Sequence, residues 1–367
     1  GILWFDSNHW KYGAPQELSN NSARLTARLV SLVIAVVLLY LLTWPVPIEP
    51  VAWNAPEDAG YSGDFALNDA LVELEAIEIS PYHGPEDIAA DPLGNLYAGT
   101  ESGEIIRIDA GRENEVFART GGRPLGLEFD AAGNLLVANG TAGVQRVDGS
   151  GNDTELTNTV DGEPIGYADD LDVAPDGRIY FSDASTKFGA GDYGGTYDAS
   201  LLDIMEHGGH GRLLVYDPAT GTTDVVLDGL QFANGVAVDP QGHYLLVNET
   251  SNYRVLRYWL GGARAGETEV LVDNLPGFPD NINRGLNGRY WIGLVAPRNA
   301  LLDALSAKPF IRKVVQRLPE ALRPKAVAST HVIAIDGNGD VVANLHGNGV
   351  PVSTVTGALE MPGALYI

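Results

Sequence analysis

Cysteine is absent from this 367-residue chain. No disulfide, thiolate zinc site or cysteine nucleophile can therefore contribute to its fold or chemistry, and the absence fits either redox compartment. Basic residues are scarce: 23 Lys and Arg stand against 48 Asp and Glu, a formal charge of −25. That balance excludes a nucleic-acid partner, because binding a phosphate backbone takes a basic surface. It accommodates divalent cations, and equally an acidic surface that is merely solvated. Histidine is limited to seven residues, which together with the missing thiols argues against zinc or copper.

Glycine and proline are plentiful, at 44 and 21 residues, and 45% of the chain is apolar. A sizeable core is affordable, and the turn-rich composition favours an all-β fold over a helical bundle. One uncharged apolar run, Leu29 to Ile48, is long enough to cross a hydrocarbon core of roughly 30 Å. Tyr40 and Trp44 stand toward its end, where interfacial aromatics belong, and Pro45 and Pro47 stop the helix. Arg24 and Arg28 precede the run; Glu49, Glu57 and Asp58 follow. The positive-inside rule then places the N-terminal side in the cytoplasm and the remainder on the periplasmic, extracellular or lumenal side. A cleaved signal peptide is the alternative, but the segment before the run is long and no small-x-small site follows it, so an uncleaved single-pass anchor is expected. The organisation expected is residues 1–23 cytoplasmic, 24–48 anchor, 49–74 linker and 75–367 a β-domain. The stretch "ILWFDSNHWKY" before the anchor is aromatic, and reads as a membrane-surface segment, a partner contact or a disordered tail.

After residue 80 a unit recurs: an apolar strand, a glycine turn, then a second strand. The copies are "GPEDIAADPLGNLYAGT", "RPLGLEFDAAGNLLVANG", "YADDLDVAPDGRIYFSDA", "FANGVAVDPQGHYLLVNET", "FPDNINRGLNGRYWIGL" and "STHVIAIDGNGDVVANLHG". Their turn glycines are Gly94, Gly133, Gly177, Gly242, Gly288 and Gly339. Six hairpin units at such spacing predict a six-bladed β-propeller, since one four-stranded blade cannot bury both its faces and a ring of blades can. Closure by an N-terminal strand such as "ALVELEAIEI" is expected. Two insertions stand out. Residues 186–211, containing "EHGGHG", are Gly-rich and loop-like. Residues 296–324 look helical and amphipathic, with seven basic residues counted through Lys325; in an acidic chain such a segment fits anionic lipid, a cap on a pocket or a helix covering the rim.

In a propeller the start of each blade's innermost strand faces the axis. The residues there read Glu86-Asp87, Leu125, Asp169-Asp170, Asn234, Asp280-Asn281 and His331. A single Asn or Asp at a strand start is ordinarily a turn cap. Acidic or amide residues at equivalent positions in four of six copies form a pattern instead. Converging carboxylates and amide oxygens are hard ligands that suit Ca²⁺, and the carboxylates would repel one another without a cation.

The stretches "FANGVAVDPQGHYLLVNET", "RYWLGG", "LPGFPDNI", "GRYWIGL" and "GRLLVYDPATG" resemble the strictosidine synthase-like family, and more distantly the paraoxonases and the gluconolactonase/regucalcin group, over residues 75–367. The resemblance implies a six-bladed propeller with calcium in its tunnel. It implies ligands at Glu86, Asp169, Asn234, Asp280 and Asn281, and a second site involving Asp87 and Asp170. Two departures matter. Leu125 stands where paraoxonases carry a catalytic His, and Thr356 stands near the catalytic Glu of the plant synthase, with Glu360 four positions away. The function expected is calcium-dependent hydrolysis of an apolar lactone or ester, with Asp280 or Glu86 as general base and His331 as a proton shuttle. The alternatives are a non-catalytic propeller serving as subunit or docking platform of a membrane-protein complex, and Pictet–Spengler condensation, which Thr356 disfavours.

Overall fold

The computed structural model describes residue 1, residues 16–347 and residues 354–367. The aromatic stretch before the anchor lies outside them. The chain divides into two compact units, one of residues 1–46 and 313–323, the other of residues 47–312 and 324–367.

The first unit contains helix α1 (Gln16–Thr43). Its Ser22–Thr43 portion has the length and composition to cross a membrane. The hydroxyls of Thr26 and Thr43 bond back to the carbonyls of Ser22 (2.9 Å) and Leu39 (2.7 Å), so neither interrupts the apolar surface. Pro45 cannot continue the ladder, which leaves the last carbonyls without helical donors. Arg317 supplies donors: its guanidinium bonds the carbonyl of Leu41 at 3.0 Å and that of Trp44.

The second unit is an all-β propeller. Its described residues form five four-stranded antiparallel sheets, each meandering in sequence order from an inner to an outer strand. The inner strands are Ile88–Ala90, Pro124–Phe129, Ala168–Val173, Ala233–Val238 and Gly277–Arg284. Inner strands of successive sheets pack beside one another. Because side chains alternate along a strand, each middle strand feeds two cores. Tyr180 joins Leu213, Val236 and Leu245 on one side, while Phe181 joins Leu136, Ala138 and Leu214 on the other. Leu246 turns the opposite way from Leu245 and meets Ile282, Ile292 and Ile333.

Four repeat copies supply the first two strands of the first four sheets, as expected. The fifth and sixth do not form separate blades. Gly277–Arg284, Arg289–Pro297, Thr330–Asp336 and Val341–Gly347 are the four strands of one sheet. The cause is turn chemistry. Asp336 caps the turn through Gly339 as Asp91 caps that through Gly94, each glycine amide bonding the aspartate carbonyl (3.0 and 2.9 Å) with φ of +90° and +86°. The same device serves an outer hairpin and an inner one. A further hairpin, Leu359–Met361 with Ala364–Tyr366, follows. The "ALVELEAIEI" segment joins no ladder; Ile77 and Ile79 pack with Leu96, Ile106, Leu359 and Tyr366.

The residues after the anchor, expected as a linker, are tied down. Trp53 stacks on His207 at 4.0 Å, and the Val51 amide bonds the Glu206 carbonyl at 2.8 Å. The first insertion is not all loop: it carries helix α2 (Thr196–Glu206). The second carries α3 (Ala300–Ala304) and α4 (Pro309–Gln316). Both insertions join the second strand of a sheet to its third. In these ladders the end of the second strand lies opposite the start of the first: Asp183 pairs with Ala168, and Pro297 with Gly277. The insertions therefore emerge on the face where the inner strands begin.

Gly235 sits where the inner strands of the fourth and fifth sheets touch. A Cβ there would lie 2.4 Å from the Ile282 amide nitrogen and 2.6 Å from the Asp280 carbonyl. Gly149 has no neighbour within 4 Å. Gly235→Ala is expected to lower stability by about 3 kcal/mol and Gly149→Ala to be near neutral, as measured by chemical denaturation.

Candidate functional site

The inner strands start irregularly. Their pairing with the second strand shifts register between Pro124 and Leu127, Ala168 and Leu171, Ala233 and Val236, and again between Pro279 and Ile282. A bulge inserts an extra residue and re-aims side chains, which is how two consecutive residues at each start leave the ladder. Glycines make room for neighbouring side-chain oxygens. A Cβ on Gly126 would lie 2.6 Å from Asp170 Oδ1, and one on Gly357 would lie 2.9 Å from Asn283 Oδ1.

Asp169, Asp280, Asn234 and Asn281 are buried and Glu86 is half-buried. Asn234 donates its amide to Asp280 Oδ1, and Asn248 donates to the Asp280 carbonyl. The Asn281 amide bonds the Thr356 carbonyl at 2.9 Å, while Thr356 Oγ1 donates to the Glu86 carbonyl. Thr356 thus lies between the inner strand of the fifth sheet and the segment that leads into the first. His331 is elsewhere. It lies on the third strand of the fifth sheet, paired with His346, whose ring stacks on it at 3.7 Å. Its Nε2 bonds Asn344 Oδ1 at 2.8 Å, and burial lowers its pKa to about 4. The proton-shuttle expectation for His331 is corrected: none of the axial carboxylates is among these partners. Leu125 is buried at the axis, as expected.

The carboxylates repel. Burial first, and then Asp280 and Asp87, push the pKa of Glu86 well up. Asp169 is raised by burial and by Glu86 and Asp280. Burial raises Asp280 to about 7, partly offset by the Asn234 hydrogen bond. Arg123, whose guanidinium bonds the Gly84 carbonyl at 2.8 Å, pulls against both Glu86 and Asp169.

Asp87 and Asp170 are also buried, but they are engaged. Asp87 Oδ2 accepts the Leu127 amide at 2.9 Å, and its Oδ1 accepts from Asn283 at 3.0 Å. Asp170 Oδ2 accepts the Val236 amide at 2.8 Å. Each carboxylate stitches its inner strand to that of the next sheet. Burial still raises Asp87 to about 6, and burial with the Asp87 charge raises Asp170.

A third group was not anticipated from sequence. Arg284 reaches Asp172 at 2.9 Å and Glu128 at 3.3 Å. Burial and the Asp172 charge push Glu128 to about 8 despite Arg284. The only sequence signal was spacing: Glu128 and Asp172 each fall three residues after a strand-start residue, Leu125 and Asp169.

The donor set suits a hard cation by its chemistry. Glu86 Oε2, Asn234 Oδ1 and Asn281 Oδ1 are buried without a hydrogen-bond partner, a costly state that a cation would relieve. Among the described residues no three His, Asp or Glu side chains form a ready-made metal cluster, so the amide oxygens would have to complete any such site.

Two family patterns match: the one described as Strictosidine synthase over residues 169–263, and the N-terminal strictosidine synthase-like one over residues 63–108. The adipocyte plasma membrane-associated protein of Bos taurus is 33% identical, the match covering 90% of this chain and 83% of that one. The Arabidopsis thaliana protein strictosidine synthase-like 6 is 32% identical, over 81% and 79%. Among solved structures, a gluconolactonase of Xanthomonas campestris superposes with a TM-score of 0.53 at 16% identity, covering 76% of this chain and 80% of that one. The calcium-binding protein regucalcin of Agrobacterium tumefaciens gives 0.51 at 15%, over 77% and 79%. These likenesses carry the propeller fold. Sequence identity, coverage and the paired patterns together place the chain in the strictosidine synthase-like family, alongside the adipocyte plasma membrane-associated proteins.

Proposed function

We propose that the protein is a single-pass membrane hydrolase of apolar lactones or esters, with Ca²⁺ held at the propeller axis. The observation that carries this reading is the set of buried, unpartnered oxygens on Glu86, Asn234 and Asn281 beside the mutually repelling Glu86, Asp169 and Asp280. Calcium-binding and gluconolactonase folds of the same class support it. The hairpin Leu359–Tyr366, with residues 354–358 before it and the apolar contacts of Ile77 and Ile79 beside it, would stand as the sixth blade. Arg24 and Arg28 before the apolar run support a cytoplasmic N-terminus.

In this reading Glu86, Asp169, Asn234, Asp280 and Asn281 hold the cation, and Asp87 and Asp170 chiefly tie strands, with a second ion held there only if their backbone bonds yield. A bound calcium would polarise the substrate carbonyl. Asp280 would serve as the general base, held ionised by the neighbouring cation, with the Asn234 amide fixing the orientation of its Oδ1. Leu125 offers the substrate an apolar wall. Thr356 carries no carboxylate and donates its hydroxyl to a backbone carbonyl, which disfavours Pictet–Spengler chemistry. One observation favours the second reading, a non-catalytic docking platform in a membrane complex: Leu125 stands at one strand start and His331 lies elsewhere, so among the described residues neither of these positions brings an imidazole to the axis.

A panel of aryl esters and lactones is expected to reveal hydrolysis that chelation abolishes and calcium restores. Asp280→Asn should lower kcat by about 100-fold or more with the fold retained. Turnover of no compound by calcium-loaded protein would favour the platform instead.

The raised carboxylates also set a pH dependence. Asp280 in the folded chain keeps its proton to about pH 7, whereas an unfolded Asp loses it near pH 4. Between those values the folded state binds more protons, so stability falls as pH rises. Metal-free protein should lose on the order of 5 °C in Tm between pH 5 and pH 8, and added calcium should return it. A Tm indifferent to both pH and calcium would count against an axial cation.

A further inference from the structure

Helix α4 is built inside out. Its charged Arg312 is fully buried: the guanidinium bonds the carbonyls of Met205 (3.0 Å), Ser306 (3.1 Å) and Val51. The neighbouring Phe310 and Ile311 point outward, 53% and 42% exposed. Leu301 and Leu322, on either side of α4 in sequence, are 48% and 66% exposed. A helix that buries Arg312 with Val315 and leaves Phe310 and Ile311 exposed presents an apolar patch that water does not favour.

Charge points the same way. Residues 296–325 hold seven basic residues against Asp303 and Glu320 in a chain whose total is −25; Arg298, Arg312 and Arg317 are buried, which leaves Lys308, Lys313, Arg323 and Lys325 at or near the surface. Lys308 is exposed and Lys313 half-buried beside the apolar pair.

Position supplies the occupant. Within the first unit Arg317 bonds the carbonyls of Leu41 and Trp44 at the C-terminal end of α1. Tyr40 and Trp44, 41% and 59% exposed, mark that end as the polar boundary of the apolar span.

We propose that α4 is a second membrane contact: Phe310 and Ile311 enter the headgroup–acyl boundary of the bilayer that α1 crosses, while Lys308 and Lys313 meet anionic headgroups. The proposal rests on α1 being inserted, which the experiment reads separately.

The chain's lack of cysteine permits single-site labelling. Full-length Phe310→Cys, Ile311→Cys, Val33→Cys and Leu93→Cys would carry an environment-sensitive dye in vesicles of phosphatidylcholine with or without phosphatidylglycerol, some lipids bearing a nitroxide near the headgroup or deep in the acyl chain. Val33 lies within α1, and Leu93 is 86% exposed on a propeller turn. The expected result is several-fold quenching at 310 and 311 by the shallow nitroxide, strengthened by phosphatidylglycerol and weakened by Lys308→Glu with Lys313→Glu. Val33 should respond to the deep nitroxide and Leu93 to neither. If Val33 is quenched while 310 and 311 behave like Leu93, the proposal fails and the anchor stands. If Val33 is also silent, both fall. Excimer formation between pyrene labels at 310, without lipid quenching, would assign the face to a second copy of the chain and overturn the proposal.

Discussion

Asp170 holds the backbone amide of Val236 with one carboxylate oxygen, Asp172 holds that of Val238 at 2.7 Å, and Asp87 holds that of Leu127. These bonds cross from one sheet to the next where the inner strands meet. They tie neighbouring sheets at their narrowest separation, where glycine takes the place of a side chain. Neutral amides would not grip so firmly, because a charged acceptor roughly doubles the strength of the bond. The arrangement concentrates negative charge in the driest part of the molecule, and the raised pKa values around the axis are its electrostatic cost.

The axis relieves that charge unevenly. Around Asp172 and Glu128 the chain supplies its own cation, Arg284, in direct ionic contact. Around Glu86, Asp169 and Asp280 the described residues supply Arg123, which acts at a distance through its charge, and leave amide oxygens without donors. Ordinary folded interiors do not leave oxygens in that state without reason. The contrast between a cluster closed by guanidinium and one left open is what motivates the proposed cation site.

Much of this was legible in the chain. The paired residues Glu86-Asp87, Asp169-Asp170 and Asp280-Asn281 gave away the axis, because bulged strand starts turn two side chains out of the ladder together. The Asp-x-x-Gly turns gave away the hairpins. The same turns misled at Asp336–Gly339, whose local chemistry matches that of an inner hairpin although it joins outer strands; only tertiary pairing separates the two. His331 was misplaced with it, and Thr356, which bonds both Asn281 and Glu86, had no acidic partner to announce it. The glycines after Leu125, Asn234 and Thr356 were a usable signal, since each lies against a neighbouring strand. Arg284 offered none: a lone arginine on a strand does not tell which carboxylates the ring will bring to it.

Both insertions leave their sheets on the side where the inner strands begin, and α3 and the start of α4 belong to one of them. The end of the propeller at which the inner strands begin, where the axial carboxylates lie, therefore also carries the segment whose apolar residues face outward. If that segment meets a bilayer as proposed, a ligand dissolved in the leaflet would reach this end of the propeller by a search in two dimensions, at the high local concentration that partitioning provides. Selectivity would then begin with oil–water partitioning, before any side chain at the axis is met.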